Sequence, residues 1–310
     1  MNSKERRLIQ ASIVGDARGL PAPGVLLLEG CSVLASGTPA SVGAPGPEVR
    51  VEDLRGHFVC PPLVNAHVHL DLSDLAPLPD GADFDAWLGA IIDHRRTQHR
   101  PGAVEAAVAR GVQASLAGGC PFVGDISGTI RSFEALAASE LAGVGFLELF
   151  GHGDRVADSI ALLEQMVARE GRIGPATGIH PGLSPHAPYS TSRELFEAVS
   201  ETGLPVATHL AESPEELVWC ESGTGPFARR LTQMGYSSGS VRFPGAHPLS
   251  IYPPVLSGRN ALVAHANYAD PEHLELLSAH RCTVVYCPRA YRYFGHPRTG
   301  SPPHGWRHMR

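Results

Sequence analysis

Asn65-Ala-His67-Val-His69 closes an apolar run and carries the most chemistry in the chain. In a strand, residues i and i+2 lie on one side, so both imidazoles face one point. Paired imidazoles suit zinc, iron or nickel. His209-Leu-Ala-Glu212 ends another apolar run, Leu204-Pro-Val-Ala-Thr-His. A histidine there can be a third ligand, and a glutamate three residues on can reach the same space as an acid or base. Leu262-Val-Ala-His265-Ala-Asn267 and Ser184-Pro-His186-Ala-Pro188-Tyr189 follow the same plan. Each feature also has a structural reading. The pair could be two unrelated polar residues, Glu212 a carboxylate beside a helix N-terminus, and the other histidines packing residues. Recurrence decides between the readings: four strand-like runs deliver histidine to the same end, which in a barrel is the active-site face.

Other motifs fail on context. Gly235-Tyr-Ser237-Ser-Gly239 matches G-x-S-x-G, but it follows a helical segment, Phe227–Met234, where a nucleophile elbow needs a strand. A serine hydrolase using Ser237 is therefore the weaker hypothesis. His273-Leu-Glu275 has no P-C-x-x-C after it, as a nucleotide-type zinc deaminase would. Cys282 and Cys287 have the wrong spacing for a zinc ribbon. With Lys4 as the only lysine, no P-loop can be formed.

The elements that must position these residues are legible as periodicity. Strand-like runs fall at Leu63–His69, Pro121–Ile126, Val144–Phe150, Gly178–Ser184, Pro205–Leu210, Ala261–Ala266 and Thr283–Cys287. Phe84, Trp87, Leu88, Ile91 and Ile92 share one helical face. Further helices are expected over 103–117, 131–140, 156–169, 192–202, 214–222 and 271–279. Thr191-x-x-Glu194 and Ser213-x-x-Glu216 read as capping boxes, and Asp270 as an N-cap. The alternation predicts an α/β fold with a parallel sheet, closed as a (β/α)₈ TIM barrel over residues 61–310, with seven strands identifiable and the eighth missing. Residues 1–60, with short apolar runs between Gly and Pro, read as a small β subdomain.

Composition excludes several classes. The chain has 310 residues and a net charge of −6, with 43% hydrophobic and 18% charged residues. That is globular, and it argues against electrostatic binding of nucleic acid or anionic membrane. Glycine (34) and proline (27) supply about a fifth of the chain, which implies many turns. No apolar stretch is long enough for a transmembrane helix, and no secretory signal pattern is present. Six scattered cysteines are not a disulfide framework, so the cytoplasm is the expected compartment.

Pro61-Pro-Leu-Val-Asn-Ala-His-Val-His-Leu70, Ser184-Pro-His-Ala-Pro-Tyr189, Thr208-His-Leu-Ala-Glu212, Val263-Ala-His-Ala-Asn267 and Val285-Tyr-Cys-Pro-Arg289, in that order, resemble the amidohydrolase superfamily. The likeness spans about residues 50 to 296 and is strongest to the chlorohydrolase and deaminase branch, including guanine, S-adenosylhomocysteine and aminodeoxyfutalosine deaminases. It implies a distorted barrel, with a β-sandwich built from both chain termini, and one divalent metal ion, zinc or iron. His67, His69 and His209 would be the metal ligands. Glu212 would shuttle a proton, His265 would orient and stabilise the activated water, and His186 would contact substrate. The implied reaction is hydrolysis of a C–N or C–halide bond of a small heterocyclic amine by water. Aminodeoxyfutalosine-like, triazine, guanine and adenosine derivatives all remain open as substrates, and a homodimer is common in such families.

One departure stands out. The family pattern ends on a metal-binding Asp within a Gly-Thr-Asp-Ser-like segment, but no Asp follows Asp270 here. From residue 276 onward there are six Arg, four His and no acidic residue, and 289–310 shows no core pattern. The expectation is a truncated or frame-shifted member rather than a functional short form, and the alternative to a metal-dependent aminohydrolase, or the bulk of one, is a non-catalytic descendant that keeps the fold and the metal.

Overall fold

A computed structural model of the chain describes residues 5–15, 19–20, 22–76, 78, 83–170, 178–237 and 239–296. The chain divides between Leu63 and Val64 into two compact units. The first holds β1 (Arg6–Val14), β2 (Gly24–Glu29), β3 (Ser32–Gly37), the short helix α1 (Pro39–Val42) and β4 (Arg50–Val59). They form one sheet in the order β3-β2-β1-β4, with β1 antiparallel to β2 and parallel to β4. The register between β1 and β4 shifts between Ala11 and Ile13. Gly56 sits in the bulge at φ 101°, a backbone conformation open to glycine, and its N–H donates to Ser12 Oγ at 2.8 Å.

The second unit alternates strand and helix. It runs β5 (Val64–Val68), α2 (Phe84–Thr97), α3 (Ala103–Ala117), β6 (Phe122–Ser127), α4 (Ile130–Ala137), β7 (Ala142–Leu149), α5 (Val156–Val167) and β8 (Ile179–Pro185). There follow α6 (Arg193–Glu201), β9 (Ala207–Leu210), α7 (Pro214–Ser222), α8 (Gly225–Gln233) and α9 (Pro248–Val255). The last elements are β10 (Leu262–His265), α10 (Pro271–Ala279), β11 (Thr283–Val285) and α11 (Pro288–Tyr293). All seven apolar runs form strands. β5-β6-β7-β8 pair in parallel, as do β9-β10-β11. A bridge from Leu183 to Val206, and the His209 N–H on the His186 carbonyl at 2.9 Å, carry the order from β8 to β9. Seven parallel strands thus follow one another in chain order, which sends all their C-terminal ends to one side. Of the tail expected to lack a core pattern, residues 289–293 lie in α11 and Phe294 packs against the buried cluster of Phe84, Tyr189 and Phe227, whereas 297–310 lie outside the described residues.

Periodicity explains which faces are buried. In α3, Val104, Ala107, Val108, Gly111 and Val112 form one buried stripe at spacings of three and four. In β8 every residue except His180 is buried, as expected for a parallel strand covered on both faces. The core joins Phe133 and Leu136 of α4, Leu147 of β7, Leu183 of β8 and Phe196 of α6, all fully buried. Each such side chain contributes about 1.5–3 kcal/mol on leaving water.

Local signals were partly redirected. Asp270 caps α10 as expected, accepting the His273 N–H at 3.0 Å. The box expected at Thr191 does not form. Ser192 caps α6, while the Thr191 hydroxyl donates to the Leu149 carbonyl at 3.0 Å and ties the loop to β7. Helix α9 was not expected, because it contains Pro253 and Pro254. It forms by burying Leu249 and Tyr252, so packing overrides propensity.

Candidate active site

The six residues singled out in the sequence come together at the C-terminal ends of the strands. His67 is on β5 and His69 follows it; His209 is on β9, His265 ends β10, and His186 follows β8 directly. The ring centroid of His67 lies 5.2 Å from that of His69, 4.8 Å from that of His209 and 5.4 Å from that of His265. His186 stands 4.8 Å from His209 on the other side. His209 Nδ1 lies 3.0 Å from the His186 carbonyl, so this nitrogen donates. The Nε2 lone pair of His209 therefore faces inward, 3.4 Å from His69 Nε2.

Burial sets the protonation states. It pushes His67, His69, His186 and His265 well below the usual histidine range, with neighbouring imidazoles adding to the effect. His209 is lowered to about 4 by burial. All five are neutral at pH 7, the form that ligates metal. Ring nitrogens of His67, His209 and His265 lie within 4.8 Å of one another, and so do the ligating atoms of His69, Glu148 and His209. Buried Nδ1 atoms of His69 and His265 have no hydrogen-bond partner. Converging neutral imidazoles, two with an unpartnered nitrogen, are a donor set that fits a divalent ion. The expected ligands His67, His69 and His209 fall within these two overlapping sets, which bring in His265 and Glu148 as well.

Glu212 lies two residues beyond β9, with Oε1 3.2 Å from His265 Nε2. Burial raises its pKa well above the carboxylate range, and Glu216 adds to the shift. It is not the helix-start carboxylate of the structural reading: Ser213 caps α7, and the acidic residues of its first turn are Glu215 and Glu216. The chain reaches this arrangement through left-handed backbone at Ala211 (φ 52°), His265 (φ 72°) and Ala266 (φ 48°), none of them glycine.

Two functional candidates escaped the sequence reading. Glu148 is the only carboxylate in the apolar run of β7, and that isolation was its signal. Its Oε1 lies 3.7 Å from His186 Nε2. Arg95 of α2 donates to Glu148 Oε2 at 3.0 Å and to Asp71 Oδ2 at 3.2 Å. Burial raises Glu148 to about 7, against the opposing pull of Arg95. Nothing in the pattern of α2 marks Arg95 apart from its neighbour Arg96.

These groups line one end of a cavity of about 570 Å³. Trp87, Leu88, Ile91 and Ile92, the helical face read from the sequence, form one wall, with Phe150, Tyr189, Phe227 and Phe294 around it. Tyr189 and Phe227 stack at 3.9 Å between centroids. Apolar and aromatic walls with a few converging polar groups are the usual lining of a small-molecule site. Ser237 is exposed in the loop after α8 and is not among the residues that line the cavity.

Comparison with known proteins bears on this geometry. The amidohydrolase family pattern matches residues 58–302. Aminodeoxyfutalosine deaminase of Deinococcus radiodurans is 29% identical over 287 residues, covering 88% of this chain and 66% of that protein. A 5-methylthioadenosine/S-adenosylhomocysteine deaminase of Nitratidesulfovibrio vulgaris is 28% identical over 294 residues, covering 91% of this chain and 62% of the relative. The chain thus spans just under two thirds of these relatives. Among solved structures, Helicobacter pylori aminofutalosine deaminase in complex with methylthio-coformycin superposes with a TM-score of 0.78 at 21% identity, covering 93% of this chain and 74% of the other. That likeness is one of fold.

Proposed function

The chain belongs to the amidohydrolase family, and from that premise we propose that it is a metal-dependent deaminase of a heterocyclic amine, with an aminopurine nucleoside as the substrate class. The observation that carries the reading is the Glu212–His265 contact at 3.2 Å beside the cluster of neutral imidazoles. On the same premise the seven parallel strands are those of a (β/α)₈ barrel, and the four-stranded sheet is part of a β-sandwich.

His67, His69 and His209 would hold a divalent ion, zinc or iron. When bound, such an ion lowers the pKa of a water from 15.7 to about 7 and so supplies a nucleophile at neutral pH. The chain's own groups do the rest. The aromatic walls hold the ring flat and exclude bulk water, and His186 contacts its edge. Glu212, whose burial favours the protonated carboxyl, donates to the ring nitrogen next to the carbon under attack. His265 orients the attacking water and holds the Glu212 carboxyl in place. The carbon becomes tetrahedral; the Glu212 carboxylate then takes the proton of the added hydroxyl and passes it to the amino group, so that the C–N bond breaks, the C=O forms and ammonia leaves.

The test is ammonia release by the zinc-loaded chain from adenosine, 5′-methylthioadenosine and S-adenosylhomocysteine, with Glu212→Gln beside it. Release that falls about 10²–10⁴-fold in the variant is expected for a lost general acid. A folded, zinc-loaded chain that releases no ammonia from any of them overturns the reading.

A further inference from the structure

The Ser213-x-x-Glu216 pattern reads in sequence as a capping box, in which Glu216 would return to the N–H of Ser213. Only half of it forms. Ser213 Oγ accepts the Glu216 N–H at 3.3 Å. The Glu216 carboxyl goes elsewhere: Oε1 accepts the Ala211 N–H at 2.9 Å, and Oε2 accepts the Glu212 N–H at 2.9 Å. Glu216 is fully buried and does not line the cavity. The other face of the same peptide segment is held from the chain just beyond β10. Asn267 Nδ2 donates to the Glu212 carbonyl at 3.0 Å, and the Asn267 N–H donates to the Ala211 carbonyl at 2.9 Å.

We propose that Glu216 is a positioning residue, with Asn267 as its counterpart. Together they clamp the Ala211–Glu212 backbone from both sides, and so fix the Glu212 carboxyl against His265. The inference rests on the reading of Glu212 as the proton-transfer group. Ala211, a non-glycine residue with positive φ, costs of order 1–3 kcal/mol and persists only where the surroundings over-determine it. Two parallel N–H groups on one carboxyl supply that constraint. The geometry also demands a carboxyl. An amide has one acceptor oxygen, and its NH₂ would face the second N–H. Aspartate is one methylene too short to span both. The capping position was therefore used to hold the turn that carries Glu212 rather than to finish the helix.

The test uses the full chain with three variants: Glu216→Gln, Asn267→Ala, and Glu221→Gln as an exposed control on the same helix. Amide hydrogen exchange is followed by mass spectrometry over 207–213 and over β7 as an internal reference. Glu216→Gln is expected to speed exchange at 211–212 at least tenfold relative to β7, while Glu221→Gln changes neither. If zinc-loaded wild type releases ammonia from 5′-methylthioadenosine, kcat falls about a hundredfold with KM unchanged, as expected for a misplaced reacting group. Should Glu216→Gln not fold, Asn267→Ala frees the same peptide from its other side and gives the same readouts. Exchange at 211–212 that stays in step with β7 overturns the proposal, as does full kcat in a variant whose segment has loosened. If the segment loosens selectively and wild type releases no ammonia, the clamp stands and the deaminase reading alone falls.

Discussion

Gly124 of β6 faces the backbone of β5 at closer range than any side chain allows. A Cβ at this position would stand 3.0 Å from the carbonyl carbon of Ala66 and closer than that to its oxygen, whereas ordinary contact begins at 3.4 Å. Ala66 immediately precedes His67, and no rotamer change relieves a clash with backbone. In Gly124→Ala, β5 must therefore retreat by at least the 0.4 Å difference, and by more at the oxygen. His67 and His69 move with it. Overpacking of this kind costs about 1–3 kcal/mol, a fall of about 2–12 °C in Tm for a unit of this size. Under the proposed ligation by His67 and His69, this displacement costs zinc affinity on the scale of a lost orienting contact, about 10–100-fold. Zinc affinity would be measured by competition with a chelating dye, and Tm by calorimetry on metal-free protein. Gly89→Ala is the control, because its Cβ would meet only the Arg230 guanidinium, at 3.5 Å. That change in α2 should stabilise the fold by about 0.5–1 kcal/mol. Zinc affinity within threefold of wild type in Gly124→Ala, with Tm unchanged, would refute the claim that the β5–β6 approach sets the ligand positions.

Other expectations follow from particular groups. Arg95→Met leaves Asp71 and Glu148 buried without their cation, and a loss of about 3–5 kcal/mol is expected in chelator-treated protein at pH 7.5; a loss under about 1 kcal/mol would mean that both carboxyls are already neutral. Half-buried His247, stacked on His273 at 3.9 Å, has its pKa lowered to about 4 from 6.5 by burial and by that neighbour. Above pH 6.5 both states hold it neutral; on acidification the unfolded chain takes the proton first, so stability is lost as pH falls from 6.5 towards 4. Discounted for solvent screening, this amounts to about 1–2 kcal/mol, and His247→Asn, which keeps a capping side chain, should remove it; parallel stability–pH curves for the two proteins would count against it. Zinc at 100 times its Kd should stabilise the wild type by about 2.7 kcal/mol, and equal stabilisation of His67→Ala would disprove ligation by that residue.

Much of the fold was legible because its signals are local. Strands buried on both faces read as near-continuous apolar runs, which made the seven recognisable, although β5 and β11 have no buried residue. The His-x-His pair announced itself because a period of two puts both rings on one side. Asp270 caps α10 as read, since a capping side chain needs only its own three following residues. Where two partners competed for one group, the local reading failed. Thr191 was drawn to the carbonyl of Leu149, and Glu216 to the N–H groups of Ala211 and Glu212. Helix α9 was hidden by its own prolines, and only the burial of Leu249 and Tyr252 reveals why it forms.

By itself the sequence determined the strand–helix alternation and the histidines at the strand ends, because hydrophobic period and side-chain direction are properties of neighbouring residues. The assembled pocket was the decision of tertiary structure. Arg95, Glu148 and the Glu216 clamp are tens of residues apart from, or turned away from, the motifs they serve. Their roles rest on charge pairing and hydrogen bonding inside a desolvated interior, where leaving a polar group unpaired is costly. Such partners are chosen by packing distance, which no spacing along the chain encodes.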